Sequence, residues 1–120
     1  MRPNAGLSVS LESGRIVLQI SGKDAGLEFP RIEVPANRNL MVRVCGESPV
    51  SSRMEIRYGL EKENGVGAMQ AVAQEMSVGP NELYFLLPCE AGRTQITLNP
   101  AMSAGRLSLS EIEVRAVPKD

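Results

Sequence analysis
The chain predicts an all-β fold, an antiparallel two-sheet β-sandwich (jelly roll) of about eight or nine strands. Three observations predict it. Apolar and polar residues alternate in short segments along all 120 residues, and a period of two puts every second side chain on one sheet face. Glycine, proline or asparagine bounds each segment, as expected for closely spaced antiparallel strands. No internal repeat and no Gly-, Ser- or Pro-rich linker divides the chain, so 1–120 reads as one β-sandwich domain, an accessory domain or a fragment of a larger protein.

Leu7, Val9 and Leu11 alternate with Ser8, Ser10 and Glu12 to give a first strand. Ser13-Gly14 turns the chain into a second, with Ile16, Leu18 and Ile20 on one face. Residues 22–26 read as loop. Phe29, Ile32 and Val34 mark a strand whose parity shifts at Pro30; proline cannot donate to a ladder, so an edge position or a bulge is expected. After a turn over 35–39, Leu40, Val42 and Val44 form a strand with Met41 and Arg43 opposite. A further turn leads to Met54, Ile56 and Tyr58 on one face and Arg53, Glu55 and Arg57 on the other. Residues 61–67 form a polar loop.

Segment 68–78 is ambiguous. Met69, Val72, Ala73 and Met76 sit at helical spacing, yet Val72, Met76 and Val78 also fit a strand interrupted at Gln74. The all-β surroundings favour the strand. Gly79-Pro80-Asn81 turns into residues 82–87, apolar on both faces: Leu83, Phe85 and Leu87 one way, Tyr84 and Leu86 the other. Such a strand is expected at a sheet centre, covered on both sides, or against another chain. Ile96 and Leu98 alternate with Gln95 and Thr97, and residues 99–105 read as loop. In the final strand Leu107 and Leu109 are in one phase and Ile112 and Val114 in the other, which predicts a β-bulge near Ser110-Glu111.

The composition excludes several function classes. Thirteen basic against 14 acidic residues give a net charge of −1, and no basic stretch offers a counterion-releasing surface, so nucleic acid is not an expected partner. No apolar run reaches membrane-span length, so membrane insertion is not expected, and the first residues begin no signal peptide; the compartment is not legible. Histidine is absent, which removes the usual general base and the commonest metal ligand; a catalytic Cys45 or Cys89 would lack its partner. The two thiols are expected to be reduced. An enzyme is therefore not expected, nor a cofactor.

The order of landmarks resembles a known type. Ser21-Gly22-Lys23-Asp24, then Leu27-Glu28-Phe29-Pro30-Arg31-Ile32, then Gly79-Pro80-Asn81 before Leu83-Tyr84-Phe85, then Thr94-Gln95-Ile96-Thr97-Leu98-Asn99-Pro100 with Gly105 and Ile112-Glu113-Val114, carry the likeness. It is to the carbohydrate-binding-module-like, galactose-binding-like jelly roll attached to bacterial glycosyltransferases and surface-polysaccharide proteins, over roughly residues 15–117. Where members show an Arg-hydrophobic-Asp-Pro stretch, this chain has Thr97-Leu98-Asn99-Pro100. The resemblance implies a non-catalytic accessory domain that binds glycan, in a bacterial surface-glycan system, and carries no ligand residue across.

A sugar surface stacks pyranose rings on flat aromatics and bonds hydroxyls with amides, guanidinium groups and carboxylates. With no tryptophan, Tyr58 and Tyr84 are the available platforms, and Tyr58 shares the phase of Met54 and Ile56, which places it in the core. The candidate ligand residues are Tyr84, Asn81, Arg43, Arg57 and Gln95. The alternative is a structural or protein-interaction domain whose patch is Met41, Tyr84 and Leu86, with another protein domain or an oligomer as partner. Calcium at Asp24, Glu61, Glu63 and Asn64 lacks the alternating Asp/Asn run of a dedicated loop. The carboxylates Glu55, Glu61, Glu63, Glu75 and Glu82 that could serve a glycosidase fall on expected exposed faces or in loops, and Gly65 and Gly67 precede no strand-to-helix phosphate loop. No metal site is expected.

Overall fold
The computed structural model describes residues 2–22, 24–100 and 105–119. They form twelve strands: β1 (Arg2–Pro3), β2 (Leu7–Glu12), β3 (Arg15–Ile20), β4 (Leu27–Glu28), β5 (Ile32–Val34), β6 (Arg38–Ser48), β7 (Ser52–Lys62), β8 (Gly65–Val66), β9 (Gln70–Met76), β10 (Gly79–Leu87), β11 (Gly92–Pro100) and β12 (Gly105–Pro118). The count exceeds the expected eight or nine because four of these strands hold only two or three residues. Pro30 interrupts one expected strand into β4 and β5, both paired to β11. The loop expected over 99–105 lies partly outside the described residues, and Asn99 and Pro100 extend β11.

Every pairing is antiparallel. A five-stranded sheet runs β10-β6-β12-β3-β2, and a seven-stranded sheet places β11 and β7 at its centre, with β4, β5 and β1 on one side and β8 and β9 on the other. The sheets enclose one apolar interior. Leu18, Val42, Ile56, Phe85, Ile96 and Leu98 are fully buried there, and Ile112 and Val114 pack half-buried against them. Tyr58 is buried as its phase required, its hydroxyl donating to Gln70 Oε1 at 3.1 Å. Segment 70–76 is strand, paired to β7. Gln74 breaks its alternation for a reason: the amide reaches across to the other sheet and donates to Tyr84 O at 3.2 Å.

The predicted bulge is present. The β12–β6 register moves from Leu109↔Gly46 to Glu111↔Cys45, leaving Ser110 as the extra residue. Glycine is required opposite it, since a β-carbon on Gly46 would lie 2.5 Å from Ser108 O. One of the two places expected for residues 82–87 is overturned. β10 is not a covered central strand but an edge of the five-stranded sheet, with Tyr84 and Leu86 facing outward.

The two flanks of the sandwich differ. On one, the β9–β10 hairpin joins the two sheets. On the other, the inner face of the five-stranded sheet runs past its cover, leaving an apolar groove of about 590 Å³ lined by Ile16, Phe29, Pro30, Ile32, Ile112 and Val114.

Candidate functional site
Cross-strand register assembles a platform on the outer face of the five-stranded sheet. Tyr84 lies opposite Arg43 and Leu86 opposite Met41 on β6. On the far side of β6, Glu113 is opposite Arg43 and Arg115 opposite Met41. Met41, Arg43, Tyr84, Glu113 and Arg115 line a shallow depression of about 370 Å³. Tyr84 is 50% exposed and Leu86 47%, so an aromatic ring and an aliphatic side chain stand open to water beside charged groups.

The guanidinium of Arg43 is held from both sides. Its Nη2 donates to Glu82 Oε2 at 2.7 Å and its Nη1 reaches Glu111 Oε1 at 2.9 Å. Hydrogen bonding to Glu82, then to Glu111, raises the affinity of Arg43 for its proton, and the same bond holds the Glu82 carboxyl below its ordinary range. Glu113 accepts from Arg115 at 3.3 Å. Cys45 sits next to this network, 3.8 Å from Glu82 Oε2, its thiol pushed up mainly by burial. Cys89, two residues past the end of β10, is buried, its thiol also pushed up by burial, and both cysteines are free.

The remaining candidate residues lie elsewhere. Asn81 lies near the start of β10, opposite Gly46, and not in the turn expected over 79–81; its amide accepts from Ser77 N at 2.9 Å and donates to Ser77 O and Gly79 O at 2.9 Å. That amide is committed to shaping the hairpin and does not reach Tyr84's face. Arg57 and Gln95 project from the outer face of the other sheet, where Arg57 pairs with Glu55 at 2.5 Å and Gln95 lies across from Gly59. One site therefore cannot contain all five. Sequence reading missed Glu82, Glu111, Glu113 and Arg115 as neighbours of Arg43. The phase of Glu111, Glu113 and Arg115 was readable once the bulge was placed, but the adjacency of β12 and β6 was not.

The seven-stranded sheet carries its own charged outer face. Arg2 donates to Glu28 at 2.7 Å, and Arg31 bridges Glu28 at 3.4 Å and Glu61 at 3.1 Å. Hydrogen bonding to Arg2 lowers the Glu28 carboxyl. Among the described residues, no group of three or more His, Cys, Asp or Glu side chains is placed to hold a metal ion.

No protein-family model and no curated protein matches the chain. Solved structures do. A structure described as "CBM4 structure and function" superposes with a TM-score of 0.71 at 10% identity, covering 93% of this chain and 79% of that one. The fold is that of a carbohydrate-binding module. The CBM22-1 xylan-binding domain from Paenibacillus barcinonensis Xyn10C gives 0.66 at 15% identity, over 99% of this chain and 86% of that one. The module CBM6cm-2 of Cellvibrio mixtus lichenase 5A, solved with cellotriose, gives 0.64 at 10% identity, over 95% of this chain and 88% of that one. At such identities the shared property is the module-like jelly roll itself.

Proposed function
We propose that this domain is a non-catalytic accessory module that binds a glycan on the outer face of its five-stranded sheet, at Tyr84. The observation carrying this reading is the half-exposed Tyr84 ring beside fixed hydrogen-bonding groups, on the open sheet face of a fold shared with carbohydrate-binding modules. An aromatic ring offers a flat apolar surface for the C–H face of a pyranose, and Arg43, Glu113 and Arg115 offer donors and acceptors for its hydroxyls. Arg43 is already clamped by two carboxylates, so little side-chain entropy is lost when a hydroxyl binds it. Its charge is matched by those carboxylates, which suits a neutral sugar.

The test is an amide chemical-shift titration with xylo-, cello-, manno- and galacto-oligosaccharides. Saturable shifts are expected at Tyr84, Arg43 and Glu113, weakened about tenfold by Tyr84→Ala and unchanged by Arg57→Ala. Silence across the panel, or shifts confined to Arg57 and Gln95, would overturn the reading.

A second reading rests on the adjacency of Met41, Tyr84 and Leu86, which makes the same face an apolar contact for another protein domain. Leu86→Ser separates the two, since it abolishes a protein contact while leaving a sugar stacked on Tyr84.

A further inference from the structure
The five-stranded sheet has two edge strands, β10 and β2, and the central residues of β2, Leu7-Ser8-Val9-Ser10-Leu11, read the same in both directions. An antiparallel pairing of this strand with its own copy, centred on Val9, sets leucine against leucine, serine against serine and valine against valine. No position in it opposes like charges, because Glu12 falls opposite Gly6 of the second copy.

Backbone geometry agrees with that register. Ser13 and Gly14 have φ of 52° and 77°, a two-residue turn of the primed type, and Glu12 pairs with Arg15 across it. The pair flanking such a turn exchanges hydrogen bonds, so Glu12, Ser10 and Ser8 direct their backbone groups toward β3. The N–H and C=O groups of Val9 and Leu11 therefore point away from the molecule. These are the groups a strand centred on Val9 would meet: Val9 exchanges both bonds with Val9 of the second copy, and the Leu11 N–H donates to the Leu7 carbonyl.

The side chains call for the same cover. Val9 and Leu11 lie on the inner face of the sheet, opposite buried Leu18 and half-buried Ile16, yet are 39% and 78% exposed. The seven-stranded sheet does not reach them. Natural edges are blunted by lysine, proline or a bulge, and residues 7–11 contain none of these. The edge of β10, by contrast, is stapled by Gln74.

We propose that two copies of this chain associate through β2, antiparallel about a two-fold axis at Val9, into one continuous sheet. The axis stands perpendicular to the sheet, so both outer faces point the same way and two Tyr84 platforms face one surface. That corollary rests on the glycan reading; the pairing does not. A single strand pair lies at the low end of specific interface sizes, so association is expected at tens to hundreds of micromolar, roughly.

Sedimentation velocity on the intact chain, with amide exchange by NMR, tests this. The weight-average mass should rise toward twofold with concentration. Protection of the Val9 and Leu11 amides should rise in step, while Ser8 and Ser10 stay protected at every concentration. Val9→Pro removes only an outward N–H, keeps the monomer's thermal midpoint within a few degrees, and should hold the chain monomeric; Val9→Lys should do the same by opposing two charges at the axis. A strict monomer at millimolar concentration would overturn the proposal. So would a dimer that survives Val9→Pro, or one lost instead on Tyr84→Ser.

Discussion

Replacing Gly46 with alanine would set a methyl carbon 2.5 Å from Ser108 O, 2.8 Å from Leu109 Cδ2 and 3.2 Å from Leu109 Cα. Leu109 is buried, and Ser108 is locked in register with Glu47, so neither neighbour can yield without moving the β6–β12 ladder. Overpacking of this kind costs about 1–3 kcal/mol, and the backbone clash puts Gly46→Ala near the top, at ~3 kcal/mol. In a domain of this size that lowers the thermal midpoint by roughly 10–20 °C. The assay is urea unfolding beside Gly65→Ala, whose new carbon meets nothing within 4 Å although its φ is +101°. That control carries only a conformational cost, about 1–2 kcal/mol. The reasoning fails if Gly46→Ala costs no more than Gly65→Ala. It also predicts that the bulge shifts, releasing Glu111 from Arg43.

Acid should weaken the fold in a defined direction. Glu82 and Glu28 have carboxyls held below the ordinary 4.5 by Arg43 and Arg2, so their stabilisation is complete above that value and is lost as pH falls through the lowered ones. Urea midpoints should fall below pH 4.5, modestly because these groups are exposed, and the double variant Arg2→Met, Arg43→Met should flatten the profile; an unchanged slope would refute the assignment. Thiol labelling should separate the cysteines: at pH 8 iodoacetamide modifies half-buried Cys45 more slowly than a free thiol and Cys89 more slowly still, read by mass spectrometry. Equal rates would show that burial does not control them.

Much of the fold was legible because a period of two reports which residues share a face. That is why Tyr58 was read into the core and Tyr84 onto the opposite face of its strand, and why the phase change between Leu109 and Ile112 located the bulge. It does not report which strands are neighbours. Hence β10, apolar on both sides, was expected at a covered centre or against another chain, and lies at an edge. The same gap separated Arg43 from Glu111 and Glu113, far off in the chain and adjacent only through β12–β6 pairing. Grouping Asn81, Arg57 and Gln95 with Tyr84 joined residues by hydrogen-bonding type, whereas Asn81 bonds back to Ser77 and Gly79 from the start of β10 and the other two lie on the opposite exterior. Gln74 looked like a defect in alternation, and only its reach to Tyr84 explains it.

The sandwich is latched along one side and ajar along the other. Where β9 folds into β10, covalent continuity and the Gln74 bridge clasp the layers; around Ile16, Ile112 and Pro30 the described residues leave the groove open. Breathing motions of the native state should therefore start at the ajar seam and travel toward the clasp. The aromatic face beside the clasp would keep its shape through such excursions, like a book held by its spine while the far pages lift.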